Sequence, residues 1–105
     1  MSEAVILGNR IHCSGMIPED TSLDVTGQVQ QALAEIDSLL AKGGSDKTKI
    51  LTATIWLADI SDFAAMNRVW DAWVVPGQTP ARATVEAKLA DPRILVEIMA
   101  VAAKS

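Results

Sequence analysis

The chain is poor in the residues that most often carry chemistry. Its 105 residues include one cysteine, one histidine, one phenylalanine, three tryptophans and no tyrosine. A lone Cys13 cannot close an internal disulfide, so a reducing compartment is the simplest setting. His12 has no second histidine to share a metal with, and there is no cysteine cluster, so no metal site is expected. Runs of basic residues are missing too. Nine Lys and Arg are scattered among thirteen Asp and Glu, giving a formal net charge of −4. That balance argues against a nucleic-acid surface, which needs a basic patch. No stretch approaches the roughly 20 apolar residues of a membrane-spanning helix. The opening "MSEAVILGNR" has no basic segment ahead of a long apolar one, so it does not read as a signal peptide. Phosphate-binding and nucleophile-elbow motifs are absent, and with them any sign of an organic cofactor. A soluble cytoplasmic protein without cofactor, membrane or nucleic-acid partner is expected.

What the chain has in quantity is apolar side chains, which make up 50% of it. Length and the absence of linkers or repeats indicate a single domain, residues 1–105. A domain of this size hides only about 60–65% of its unfolded surface. The apolar excess therefore suggests surface left over for a partner subunit.

Local patterns divide the chain into seven elements. "AVILGNRIHCSG" reads as two short strands around a Gly8-Asn9 turn. Asp24 to Lys42 reads as a helix, with Val25, Val29, Leu33, Ile36 and Leu40 at spacings of three and four, Asp24 as N-cap and Gly43-Gly44 as the stop. Lys49 to Ala58 is rich in β-branched residues and reads as a strand with two uncharged faces: Ile50, Thr52, Thr54 and Trp56 on one, and Leu51, Ala53, Ile55 and Leu57 on the other. Asp62 to Val74 reads as a second helix, with Ser61 as N-cap and Phe63, Met66, Trp70 and Trp73 as its apolar stripe. "ARATVEAKL" and "ILVEIMAVAA", around a turn at "ADPR", read as an antiparallel hairpin. The order ββ-α-β-α-ββ makes this an α+β fold, with two helices packed on one face of a sheet. Nothing in the chain covers the other face. Association of sheets in a closed ring would.

The ionic candidates lie on the last two strands. In "PARATVEA", Ala81, Ala83, Val85 and Ala87 share one face while Arg82, Thr84, Glu86 and Lys88 share the other. An arginine so close to a core needs a partner. In hairpin register Arg82 would share a face with Glu97 at roughly 13 Å, allowing ~3.3 Å per residue. The alternative is that both are partly exposed surface charges. His12 reads as a structural or surface residue, and Cys13 as a small core residue.

Four segments together point to a family. "SGMIP" (Ser14 to Pro18), "DFAAMN" (Asp62 to Asn67), "PARATVEA" (Pro80 to Ala87) and "LVEIMAVAA" (Leu95 to Ala103), in this order, resemble the Rid family of reactive-intermediate deaminases, also called YjgF. The resemblance runs from about Leu7 to Ala103 and includes the whole "KTKILTATIWLADISDFAAMN" block.

It implies the chorismate-mutase type of α+β fold and a homotrimer whose sheets form a central barrel, with clefts between subunits. It implies a cofactor-independent deaminase hydrolysing 2-imino or enamino acids such as 2-iminopropionate to a 2-keto acid and ammonia. Arg82 would clamp the substrate carboxylate, and Glu97 would serve the attacking water. Ser14, Gly15 and Asn67 would line the cleft, with Thr84 contributing its backbone. The chain departs from prototype members in two ways. It starts after the position of their N-terminal pocket tyrosine, which matches a short-N-terminus subgroup, and it has Met99 where they carry a further glutamate. Rival readings are a non-catalytic small-carboxylate-binding or regulatory module, and a chaperone-like protein acting through exposed apolar surface.

Overall fold

The computed structural model describes residues 1–104. Five strands form one sheet: β1 (Ala4–Leu7), β2 (Arg10–Cys13), β3 (Ile50–Leu57), β4 (Ala81–Glu86) and β5 (Val96–Ala103). Two helices, α1 (Val25–Lys42) and α2 (Phe63–Trp73), join β2 to β3 and β3 to β4. The strand order across the sheet is β1-β2-β5-β3-β4. This is the expected ββ-α-β-α-ββ arrangement, with both helices on one face of a mixed sheet.

Local signals act as the sequence indicates. Gly8 takes a φ of +58°, which suits glycine, and the tight Gly8-Asn9 turn pairs Leu7 with Arg10. Asp24 caps α1 by accepting from the Gly27 amide at 2.9 Å. Ser61 does not cap α2. Asp59 instead accepts from the Ser61 amide and opens a short 3₁₀ turn, Ile60–Asp62, that leads into the helix.

Two readings need correction. The last two strands do not form a hairpin. β4 runs parallel to β3, and β5 pairs antiparallel with β3 on its other edge. The helical crossover through α2 brings β4 back in the direction of β3, as a β-α-β unit requires. Residues 87–95 then pass over the end of β3, where Ala87 N–H donates to Leu57 O and Ala58 N–H to Leu95 O. The second correction concerns the faces of β3. The register shifts between Ile50 and Thr52, which places Ile50 on the buried side with Ala53, Ile55 and Leu57 and leaves Leu51 exposed.

The core lies between the helices and one sheet face. Ile11, Ile55, Leu57, Val96 and Ile98 from the strands meet Val29, Leu33, Ile36, Leu40 and Met66 from the helices, all fully buried. Each such side chain contributes about 1.5–3 kcal/mol through removal from water. Cys13 is part of this core, and burial pushes its thiol pKa up. Gln28 is the exception, a fully buried amide on α1. Its Nε2 donates to Arg93 O at 2.9 Å and Leu23 O at 3.1 Å, and its Oε1 accepts from Leu95 N–H at 2.8 Å. It ties the 87–95 connection to the first turn of α1.

The opposite face is uncovered. Alternation places Val5, Leu7, Trp56, Ala81, Ala83, Val85, Met99 and Val101 on it, with Arg10, His12 and Glu97 as its ionisable side chains. Leu7 is 76% exposed and Val85 46%. Nothing in the chain covers this face, as the sequence indicated.

Candidate active site

The predicted site residues fall into two groups. The first is built on β4 and α2. Arg82 pairs in register with Ala53, so it points to the helix side of the sheet. β4 is an edge strand, and Arg82 is half-buried under the first turns of α2. Its Nη1 donates to Asn67 Oδ1 at 2.7 Å. Its guanidinium carbon lies 5.2 Å from the centre of the Trp70 ring and 5.6 Å from that of Phe63. Cation–π attraction of this kind holds the guanidinium plane at little cost in solvation. Among the described residues no carboxylate stands within ion-pair distance of Arg82. Its charge meets a neutral amide and two rings, and stays uncancelled.

Thr84 follows Arg82 on the same side of β4. Its hydroxyl is buried and has no hydrogen-bond partner among the described residues. Glu86, next in the alternation, accepts from the Ile60 amide at 2.9 Å and so belongs to the loop leading into α2.

The second group surrounds Glu97. This residue pairs with Trp56, on the uncovered face of the sheet. Beside it, Met16 forms a two-bond bridge with Ile98, which draws the Ser14-Gly15 segment against β5. A Cβ built on Gly15 would overlap the Glu97 carboxylate. Gly15 is needed there because the carboxylate lies directly over its backbone. Ser14 is anchored by its amide, which donates to Glu3 O at 2.7 Å.

Arg82 and Glu97 therefore do not share a face, as the hairpin register implied. They lie on opposite sides of one sheet, two strands apart and three residues out of step. At ~4.8 Å per strand and ~3.3 Å per residue, that is about 10 Å across and about 10 Å along. One chain brings Arg82, Asn67 and Thr84 together, and separately Glu97 and Gly15. A concavity of about 520 Å³ at the far end of β4, lined by Glu86, Lys88, Asp91 and Ile94 among others, contains none of these residues.

The structure also adds residues that pattern reasoning assigned elsewhere. Phe63 and Trp70 read as core. Trp70 is buried, but Phe63 is 39% exposed and lies against Arg82. Asp71 accepts from Asn67 Nδ2 at 3.3 Å. The spacing Phe63, Asn67, Trp70, Asp71 puts all four on one side of α2, and that was the available signal.

Residues 1–104 match the endoribonuclease L-PSP family, the group also known as YjgF, RutC or Rid. The chain belongs to this family. It is 51% identical over 102 residues to the RutC family protein YoaB of Escherichia coli K12, a match covering 97% of this chain and 89% of the relative. It is 47% identical over 102 residues to a RutC family protein of Haemophilus ducreyi, covering 97% and 87%. A YjgF family crystal structure from Neisseria meningitidis superposes with a TM-score of 0.97 at 50% identity, covering all of this chain and 87% of that one. For this YjgF-family chain, no described helix is long and apolar enough to cross a membrane. Nor do its described residues bring three or more His, Cys, Asp or Glu together where they could hold a metal ion.

Proposed function

We propose that the protein is a homotrimeric 2-imino/enamino acid deaminase whose sites lie between subunits. The observation that carries this reading is the state of Arg82. It is half-buried at a sheet edge, flanked by two rings and bonded to an amide, with no carboxylate from the described chain. Such a guanidinium is suited to a small carboxylate, which a planar fork can bind through two parallel bonds.

The placement of Glu97 supports the subunit assignment. If Arg82 and Glu97 act on one substrate, they come from different protomers, because a sheet separates them within one chain. One protomer supplies Arg82, Asn67 and Thr84, and its neighbour supplies Ser14, Gly15 and Glu97. The uncovered apolar sheet face gives the protomers reason to associate, since exposed patches of that kind mark interaction surfaces. A cleft walled by two chains is not a closed cavity in one of them.

The chemistry follows from these roles. A 2-imino acid binds with its carboxylate on Arg82, which fixes the imine carbon. Glu97 orients a water and accepts its proton as the oxygen bonds to that carbon. That proton passes to the nitrogen, giving a carbinolamine. The hydroxyl proton then moves to the amino nitrogen, the C–N bond breaks, and ammonia leaves as the carbonyl of the 2-keto acid forms. An enamine enters the same path after tautomerising to the imine. Positioning by Arg82 is worth more here than base catalysis, because the imine already reacts with water unaided.

The family's ribonuclease designation receives no support from this chain's charge. A net −4 without a basic cluster does not favour binding a phosphodiester backbone.

The test couples the protein to a dehydratase that releases 2-aminoacrylate and follows ammonia or pyruvate. Acceleration above the solvent rate by the wild type, abolished in Arg82→Ala, is expected. An assembled trimer that binds pyruvate but gives no acceleration would instead identify a carboxylate-binding module. Arg82-independent protection of an unfolding client would identify a chaperone-like protein.

A further inference from the structure

We propose that Asp71 is a positioning residue for Arg82, acting through the Asn67 side-chain amide. That the positioned arginine serves as a carboxylate clamp rests on the function proposed above. The positioning itself does not.

An amide has two unlike ends, one accepting and one donating. A guanidinium only donates, so it is compatible only with the oxygen of Asn67. A carboxylate only accepts, so it is compatible only with the nitrogen. Asn67 lies between one of each: Arg82 Nη1 is 2.7 Å from its Oδ1, and Asp71 Oδ2 is 3.3 Å from its Nδ2. Both neighbours favour the same orientation. Without Asp71, the amide is free to turn and aim its hydrogens at a guanidinium that offers only hydrogens. Asp71 stands four residues after Asn67, one turn along α2, where side chains meet.

The arrangement also sets what Arg82 has left to offer. Trp70 and Phe63 occupy the neighbourhood of the guanidinium plane, and Asn67 takes one N–H of Nη1. Among the described residues nothing accepts from its remaining N–H groups. A carboxylate placed directly on Arg82 would fill them and cancel the charge. Asp71 reaches Arg82 only through a neutral amide, so it orients the cation without occupying it. Sequence reading gave Asp71 no role, and its exposure would ordinarily mark it as a solvated surface charge.

The experiment uses the intact protein with Asp71→Ala, Asp71→Glu, Asn67→Ala and the Asn67→Ala/Asp71→Ala double variant. Pyruvate is the probe. Calorimetry gives its Kd, and the coupled assay gives KM and kcat for the imine. NMR of the arginine side-chain N–H groups reports whether the Arg82 guanidinium is held. Asp71→Ala should raise Kd and KM about three- to tenfold, the equivalent of one hydrogen bond, and leave kcat unchanged. Asp71→Glu should restore both. In the Asn67→Ala background, Asp71→Ala should change Kd less than about twofold, because the relay is already broken. Slowly exchanging Arg82 side-chain signals should be present in the wild type and in Asp71→Glu, and lost in Asp71→Ala.

Two results overturn the proposal. One is unchanged Arg82 signals in Asp71→Ala. The other is an Asp71→Ala effect as large without Asn67 as with it, which would mean a general charge effect. If wild-type protein neither binds pyruvate nor accelerates the reaction, the proposed function fails. The NMR comparison then decides the relay alone.

Discussion

The Glu97 carboxylate lies against the backbone of Gly15, in space that any side chain at position 15 would need. The contact joins an acid on β5 to the Ser-Gly segment after β2. It makes the smallest residue in the candidate site a condition for where the Glu97 carboxylate lies. Gly15→Ala should therefore fold, because the atom displaced is the free end of a flexible side chain, but Glu97 should swing away. The expected result is a kcat lower by about 10²-fold with KM changed little. Unchanged kcat would remove Glu97 from the chemistry.

Opposite faces for Arg82 and Glu97 give a test of site ownership. As pure trimers, Arg82→Ala should be inactive and Glu97→Gln should lose most of its rate. Coexpressed at equal levels with different tags, they should recover activity. In a random mixture about one interface in four combines an intact Arg82 with a neighbour's intact Glu97, so about a quarter of wild-type activity is expected in a cyclic assembly. No recovery in mixed trimers isolated by both tags would mean that each site belongs to one chain.

Gln28 concerns stability and not chemistry. Gln28→Leu keeps the volume but removes the partner of Leu95 N–H and of the Arg93 and Leu23 carbonyls. Stability should fall by about 2–3 kcal/mol in chemical denaturation, the cost of leaving buried backbone groups unpaired. An unchanged midpoint would mean that water replaces the amide.

Asp91 gives a pH signature for the same connection. Hydrogen bonds from the Arg93 side chain, then from its amide, lower its pKa to about 2. The folded value lies below the unfolded one of about 3.9, so this turn contributes stability above pH ~4 and loses it as pH falls toward 2. The Asp91 carboxyl carbon should titrate near 2 by NMR in the wild type. In Arg93→Ala it should move up toward its ordinary value.

Much of the fold was legible because local signals and the apolar pattern agreed. The Gly8-Asn9 turn, the Asp24 cap and the stripe of α1 needed nothing distant. Sheet order was another matter. A hairpin at "ADPR" was a sound local inference, but the αβ crossover and the Gln28 amide, more than 60 residues away in sequence, decide where that connection goes. The bulge at Leu51 was invisible because strict alternation reads equally well without it. Arg82, Asn67, Gly15 and Glu97 could be named from motifs. Their division between two faces could not, because it depends on which strand lies beside which. Asp71 was hidden in an ordinary charged helix surface.

The strand order also has a bearing on the birth of the protein. β5 is the last of the five strands to leave the ribosome, yet it lies in the middle of the sheet, between β2 and β3. Until it emerges, β1-β2 and β3-β4 are separate two-stranded pieces, each too small to be stable alone. The sheet can close only when β5 arrives between β2 and β3. Until then the edges of β2 and β3 that β5 joins have no partner. A ribosome stalled before Val96 should carry a chain fully sensitive to protease, and one stalled far enough beyond Lys104 to clear the exit tunnel should carry a resistant one.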